Sequence, residues 1–358
     1  MSIEQERKTQ MKSTILVYNG EGSQGESRKF FHEALVEVVD PRYHNIKYIS
    51  PEEIKEGSWT WNCCLIAFGG GYDLGFIKAL GSQGTQTIRQ YVEQGGTYLG
   101  FCAGAYWACN YIEFDKGGPL EVVGERFLKF YPGSCIGPAF PGFGYKNKVG
   151  VQAVPVTYKG LAFSSYLHGG GFFSPPEVPS KAEPSVSNSS HQQNVIGVSE
   201  EYTVTAQNCK MKTLSSTNDA VLSQGEEQDL HSRPGPPQNR LCSPKSPAHT
   251  NNLVNTTTGL CMKREDRTVT DQRTYDVLGA FTTLSGSPAV FVKCYVGQGR
   301  ALLSGVHIEY PVVLLDENHP ILKPVMPSLH RSEEARDFVF RDILLQAHVK
   351  LKKARSLL

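Results

Sequence analysis

The chain has 358 residues, a formal charge of +1 and 39% hydrophobic content, enough for one large core. Its 36 basic and 35 acidic residues nearly cancel, which gives no electrostatic reason to expect nucleic acid or an anionic membrane as partner. No apolar run approaches the ~18 residues of a membrane-crossing helix, and the polar Met1–Lys12 lacks the apolar centre of a signal peptide. Nine cysteines at irregular spacing, with Cys63 and Cys64 adjacent, fit a reducing compartment better than a disulfide framework. The cytoplasm is the expected location.

Thr14 to Tyr18 reads as a strand, followed by a glycine loop and a helical pattern from about Ser27 to Val39. Ile46 to Ile49 reads as the next strand and Cys63 to Phe68 as a buried one. Thr85 to Gln94 reads as helix, Thr97 to Phe101 as strand, and Ala103 to Asn110 as helix again. Strands alternating with helices predict an α/β fold with a mostly parallel, doubly wound sheet and flanking helices. In such sheets the working residues gather beyond the carboxyl ends of the strands.

Residues 174–273 are different in kind. Between 174 and 270 there is one aromatic residue, Tyr202, and nine of the chain's 21 prolines. So little apolar surface cannot offset the entropy of ordering, and a disordered Pro/Ser-rich insertion in a surface loop is expected. Ser243 and Ser246, each before proline, are candidate phosphorylation sites within it. The domain is then discontinuous, 13–173 with 274–350, between a polar tail (1–12) and a C-terminal tail (351–358). An amphipathic helix from about Ser332 to Lys352 closes it.

Two segments carry chemistry. In Gly100-Phe101-Cys102-Ala103-Gly104-Ala105-Tyr106, small residues flank one thiol between a strand and a helix, which suits a sharp turn with the nucleophile exposed. Unpaired amides at the helix start favour a thiolate there. A buried structural cysteine is the plain alternative. Far downstream, Gly299 to Glu309 reads as an apolar strand ending in His307-x-Glu309. Alternation puts residues i and i+2 on one side, so the carboxylate can orient the imidazole as a thiol's base requires.

On these two motifs the chain resembles a class I glutamine amidotransferase, and more closely the amidotransferase-like N-terminal domain of biotin–protein ligases. The resembling segments are Leu16 to Gly20, Phe68 to Leu74, Gly100 to Gly104, Phe130 to Gly133 with Gly137 to Ala139, and the stretch ending at Glu309. The resemblance implies a flavodoxin-like fold and a triad of Cys102, His307 and Glu309. It also implies an oxyanion loop at Gly69, Gly70 and Gly71, aided by the amide of Ala103. One departure matters. The glutaminases usually place glutamine where this chain has Tyr106, and a phenol cannot reproduce an amide's paired donor and acceptor, so glutamine is a doubtful substrate.

Gly20, Tyr72, Asp73, Tyr106 and His168 are candidate pocket-lining residues. Asp73 is equally a helix cap, His168 is read first as an ordinary partly buried histidine, and Cys109, on a similar helix face to Cys102, as a core residue. Gly20-x-Gly22-x-x-Gly25 imitates a dinucleotide fingerprint but lacks the acidic residue after the next strand. Gly297 to Arg300 is read as a hairpin turn, not a ligase nucleotide loop. No Cys/His group has zinc spacing. No cofactor, no metal and no ligase catalytic core are expected. Three functions stand open: a cysteine-dependent hydrolase or acyl transferase; a non-catalytic module that binds a small molecule or regulates a ligase catalytic domain or a longer form of it; and a redox-sensing thiol.

Overall fold

The computed structural model describes residues 14–145, 147–176 and 274–353. They belong to one compact unit, 1–193 with 271–358; a second unit, 194–270, lies wholly outside them. The expected insertion therefore also lies outside the described residues from 177 to 273, as do both phosphorylation candidates. In the first half the chain forms β1 (Thr14–Tyr18), α1 (Gly25–Val38), β2 (Asn45–Ile49), α2 (Pro51–Glu56), β3 (Cys63–Phe68), α3 (Asp73–Glu93) and β4 (Thr97–Phe101). There follow α4 (Ala103–Trp107), β5 (Cys109–Phe114), β6 (Val122–Glu125), β7 (Tyr131–Gly137), β8 (Gln152–Tyr158), β9 (Leu161–Leu167) and β10 (Phe172–Ser174). After residue 273 come β11 (Tyr275–Phe281), β12 (Ala289–Val296), β13 (Gly299–Ser304), α5 (Met326–Arg331) and α6 (Glu333–Gln346).

One half of the sheet is parallel, in the order β2-β1-β3-β4-β13. The sequences of β1 and β4 are buried at every position, which is what a strand covered on both faces requires. Helix α1 lays Phe30, Phe31, Ala34, Leu35 and Val38 on the sheet. On one face Phe68 stacks between Tyr18 and Tyr98, at 4.6 and 5.5 Å; on the other, Phe31 and Phe101 meet edge to face at 5.1 Å. A capping box between Ser50 and Glu53, with Pro51 at the first helical position, starts α2 as its sequence dictates.

Beyond β13 the sheet changes character: β12 returns antiparallel through the Gly297 turn, and β10, β7, β5 and β6 extend it. β11, β8 and β9 branch from β12. The parallel register Phe68↔Gly100 and Ser304↔Phe101 aligns the carboxyl ends of β3, β4 and β13. The Gly69 loop, Cys102 and the segment carrying His307 therefore leave the sheet at one edge. Cys109 is a correction in detail: it opens β5 instead of continuing a helix, and is fully buried.

Candidate functional site

Cys102 joins β4 to α4 with φ 50° and ψ −110°, a left-handed conformation rare for a side-chain-bearing residue. Such a conformation costs on the order of 1–3 kcal/mol and persists only when its surroundings fix it. Here they do. The Cys102 amide donates to the Ser304 carbonyl at 2.9 Å, and its own carbonyl accepts from Ala105 and Tyr106. A Cβ on Gly104 would lie 2.3 Å from the Phe68 carbonyl oxygen and one on Gly100 2.7 Å from the Gly104 carbonyl oxygen, so the two glycines flanking the thiol are sterically required.

His307 and Glu309 do not end a strand, as their alternation suggested. β13 stops at Ser304, whose hydroxyl turns back to donate to the Val306 carbonyl at 2.7 Å and accept its amide at 3.2 Å. The irregular stretch that follows is tied to β9 by the His307 amide, which donates to the Tyr166 carbonyl at 2.8 Å. The side chains still meet: His307 Nδ1 and Glu309 Oε1 are 2.6 Å apart, and both residues are buried. Burial pulls the imidazole pKa down. The Glu309 carboxylate and the adjacent Cys102 thiol outweigh that pull and raise it to about 10. His307 is therefore an imidazolium at neutral pH, beside the sulfur of Cys102.

The thiol is only 7% exposed and its Sγ donates weakly to the His168 carbonyl at 3.8 Å. The Gly70 Cα approaches the imidazole so closely that a Cβ there would lie 2.9 Å from His307 Cε1. The Gly69 carbonyl accepts the Gly104 amide, the Gly70 carbonyl accepts the Gln24 amide, and the Gly70 amide donates to Ser27 Oγ at 2.8 Å. Gly71 bridges to Ser23. Among the described residues, the Ala103 amide meets no backbone acceptor outside its own helix.

The remaining candidates divide. Tyr106 is buried, donates to the Gly169 carbonyl at 3.1 Å and packs edge-on against Phe114. His168 packs at a tilt against Phe143 and pairs through Nε2 with the Val149 carbonyl; burial lowers its pKa, so it is neutral at pH 7. Asp73 forms a buried ion pair with Arg126 and starts α3 without a side-chain cap there. Tyr72 is exposed and reaches Glu21. Gly20 stands apart from the thiol, packed against Pro51 and the Tyr18 hydroxyl.

Sequence reasoning missed several neighbours. Tyr310 stacks on His307 at 4.1 Å between ring centroids, and its hydroxyl is hydrogen-bonded by Ser27. The connection from β7 to β8 carries Phe143 and Tyr145, packed against each other and Phe114, with Tyr145 within electrostatic reach of Cys102. Lys148 in that connection pairs with Glu26 at 2.5 Å. Adjacency to Glu309 was the one available signal for Tyr310; the others lie far away in sequence and show no periodicity. Among the described residues, no group of three or more His, Cys, Asp or Glu side chains is arranged to hold a metal ion, and no helix is long and apolar enough to cross a membrane.

A family model described as "Biotin-protein ligase, N terminal" matches residues 13–222 and 262–357. Among curated proteins, a biotin–protein ligase of Schizosaccharomyces pombe is 32% identical over 165 residues, 44% of this chain and 26% of that protein. An uncharacterized protein of Chlamydia muridarum is 35% identical over 123 residues, 34% of this chain and 48% of that one. The matches thus span about a quarter and about half of these relatives. Among solved structures, a glutamine amidotransferase aligns with 14% identity and a TM-score of 0.41, over 90% of this chain and 98% of its own.

Proposed function

For a chain that belongs to the biotin–protein ligase N-terminal family, we propose an amidotransferase-like domain in which Cys102, His307 and Glu309 hydrolyse or transfer the acyl group of a small amide or ester. The observation that carries this reading is the buried His307–Glu309 pair, proton-bearing at neutral pH, beside a thiol held in a strained strand-to-helix turn. An imidazolium stabilises negative charge on the neighbouring sulfur. The thiolate attacks the carbonyl carbon, and the tetrahedral oxyanion needs donors fixed in advance; the Ala103 amide is the first candidate. His307 then protonates the leaving amine or alkoxide, the thioester forms, and water hydrolyses it with the now neutral imidazole as base. Glu309 keeps the ring oriented throughout.

The test is turnover of an activated aryl ester and a primary amide by wild type, Cys102→Ala and His307→Ala. Each substitution is expected to remove at least ~100-fold of the rate while the circular dichroism spectrum stays native. Equal rates in wild type and Cys102→Ala would sink the proposal.

A second reading has its own support: Cys102 is 7% exposed and the Gly70 amide is engaged by Ser27, as in a pocket kept for binding and not for chemistry. In that case the domain regulates a biotin–protein ligase catalytic domain in the cytoplasm. Purified chain added to a separate ligase catalytic domain should then change its rate; no effect and no binding count against it.

A further inference from the structure

One buried cation stands behind the site without a role in the scheme above. Arg336 is 3% exposed, and an arginine that deep is rare unless paired. It is carried there by α6, whose Val339, Phe340, Ile343 and Leu344 bury against the sheet; Arg336 lies one turn earlier on the same face. Its Nη1 donates to the Tyr310 carbonyl at 2.7 Å, fixing the residue that follows Glu309 and stacks on His307. Two buried polar atoms near it are short of partners among the described residues: Nε of Arg336 itself and Oε2 of Glu309. One is a donor and the other an acceptor, and the two charges lie in each other's field, along with that of Glu333. Left unmet, each costs about 1–3 kcal/mol. The two atoms are not hydrogen-bonded to each other directly; a single bridging water would meet both.

We propose that Arg336 is a positioning residue for this site, keeping the Glu309 side chain turned toward His307 and clamping residues 307–310 through the Tyr310 carbonyl. The inference rests on the triad reading and adds a fourth member behind it. Arg336 touches no reacting atom and acts through Glu309. The imidazole it serves is faced by Glu309 and Cys102, by the rings of Tyr166 and Tyr310, and by His168 from the end of β9.

The experiment follows the His307 Cε1–H resonance against pH by NMR in wild type, Arg336→Met and Arg336→Lys. Simple removal of a cation would leave the imidazole titrating where it was, or higher. Loss of positioning has the opposite sign: a Glu309 side chain free to turn away from Nδ1 lets the titration fall. The expected result is a fall of about one pH unit or more in Arg336→Met, a tenfold loss of proton affinity. A smaller fall is expected in Arg336→Lys, which keeps the charge and loses the guanidinium fork. An unchanged or raised titration in folded Arg336→Met overturns the proposal. If that variant does not fold, Arg336→Lys decides alone: a fall supports the assignment and an unchanged titration overturns it. The readout needs no turnover, so an inactive protein with the expected fall removes the acyl-transfer reading and leaves Arg336 in place.

Discussion

Glu309→Gln is the perturbation with the largest consequence at the site. In the wild type, burial pulls the His307 pKa down and the Glu309 carboxylate more than restores it, to about 10 against an ordinary 6.5. Glutamine fills nearly the same space and can still accept from Nδ1, but it carries no charge. Burial is then opposed mainly by the Cys102 thiol, and the imidazole is expected to titrate at or below its ordinary value. The change from about 10 to 6.5, at about 1.4 kcal/mol per pH unit, is roughly 5 kcal/mol of differential stabilisation of the imidazolium.

Two assays read it. The His307 Cε1–H shift should titrate near pH 10 in wild type and near or below 6.5 in Glu309→Gln. Stability carries the same signature. Because the folded pKa is raised, the contribution is fully present below about 6.5 and is lost as pH rises through about 10. Urea midpoints of the wild type should therefore fall across that window, and those of Glu309→Gln should change less. A wild-type His307 titrating near 6.5, or a variant still titrating near 10, would refute the reasoning.

Three further outcomes follow from contacts around the site. Gly70→Ala places a methyl 2.9 Å from His307 Cε1 and 3.0 Å from Ser27 Oγ; overpacking of this kind costs about 1–3 kcal/mol, so calorimetry should show a lower Tm, and an unchanged Tm with unchanged Cys102 reactivity would contradict the packing. Lys148→Met removes the ion pair with Glu26, which at a half-buried site is worth about 0.2–1 kcal/mol. If that pair holds the β7–β8 connection near the thiol, iodoacetamide should alkylate Cys102 roughly 1.5- to 5-fold faster, and an unchanged or slower rate counts against a latch. Asp73→Asn leaves Arg126 charged and buried opposite a neutral amide, for an expected loss of about 3–5 kcal/mol by urea unfolding; a loss below about 1 kcal/mol would show the pair to be dispensable.

In the parallel half, β1, β3 and β4 were legible because they are short and mostly apolar: they begin and end where the runs Thr14–Tyr18, Cys63–Phe68 and Thr97–Phe101 do. Helix α3 was half hidden. It starts at Asp73, twelve residues before the predicted Thr85, because Gly75, Gly81 and Gly84 obscure its first turns and Gly81 breaks the helical dihedrals at φ 59°. The extension beyond β13, mostly antiparallel with β5 and β7 parallel, was not resolved into pairs, since partners such as β10 and β12 lie on opposite sides of a long interruption. At the site, Cys102, His307 and Glu309 sit in compact motifs that can be read locally. Ser27, Tyr310 and Arg336 reach the same few ångströms from α1, a loop and α6, and nothing local marks such a convergence.

Tyr106 bears most directly on which acyl donor the site accepts. Its phenol is not a side chain resting in open space. A Cβ on Gly137 would lie 1.8 Å from its hydroxyl oxygen and one on Gly171 2.5 Å away, and the hydroxyl donates to the Gly169 carbonyl. Three backbone positions on β7 and the β9–β10 connection thus leave room for this one ring or bind it. Burial holds the phenol well above its ordinary pKa, so it remains a neutral donor already spent on a carbonyl. A substrate amide that needs a paired donor and acceptor one helical turn beyond the thiol would find neither free there. Replacing Tyr106 by glutamine alone would not restore the pair: the shorter side chain would leave space against Gly137 and Gly171 and strand the Gly169 carbonyl. The ring and the glycines around it fit each other, so on the proposed acyl-transfer reading discrimination against glutamine would rest on the shape of the backbone as much as on the identity of residue 106.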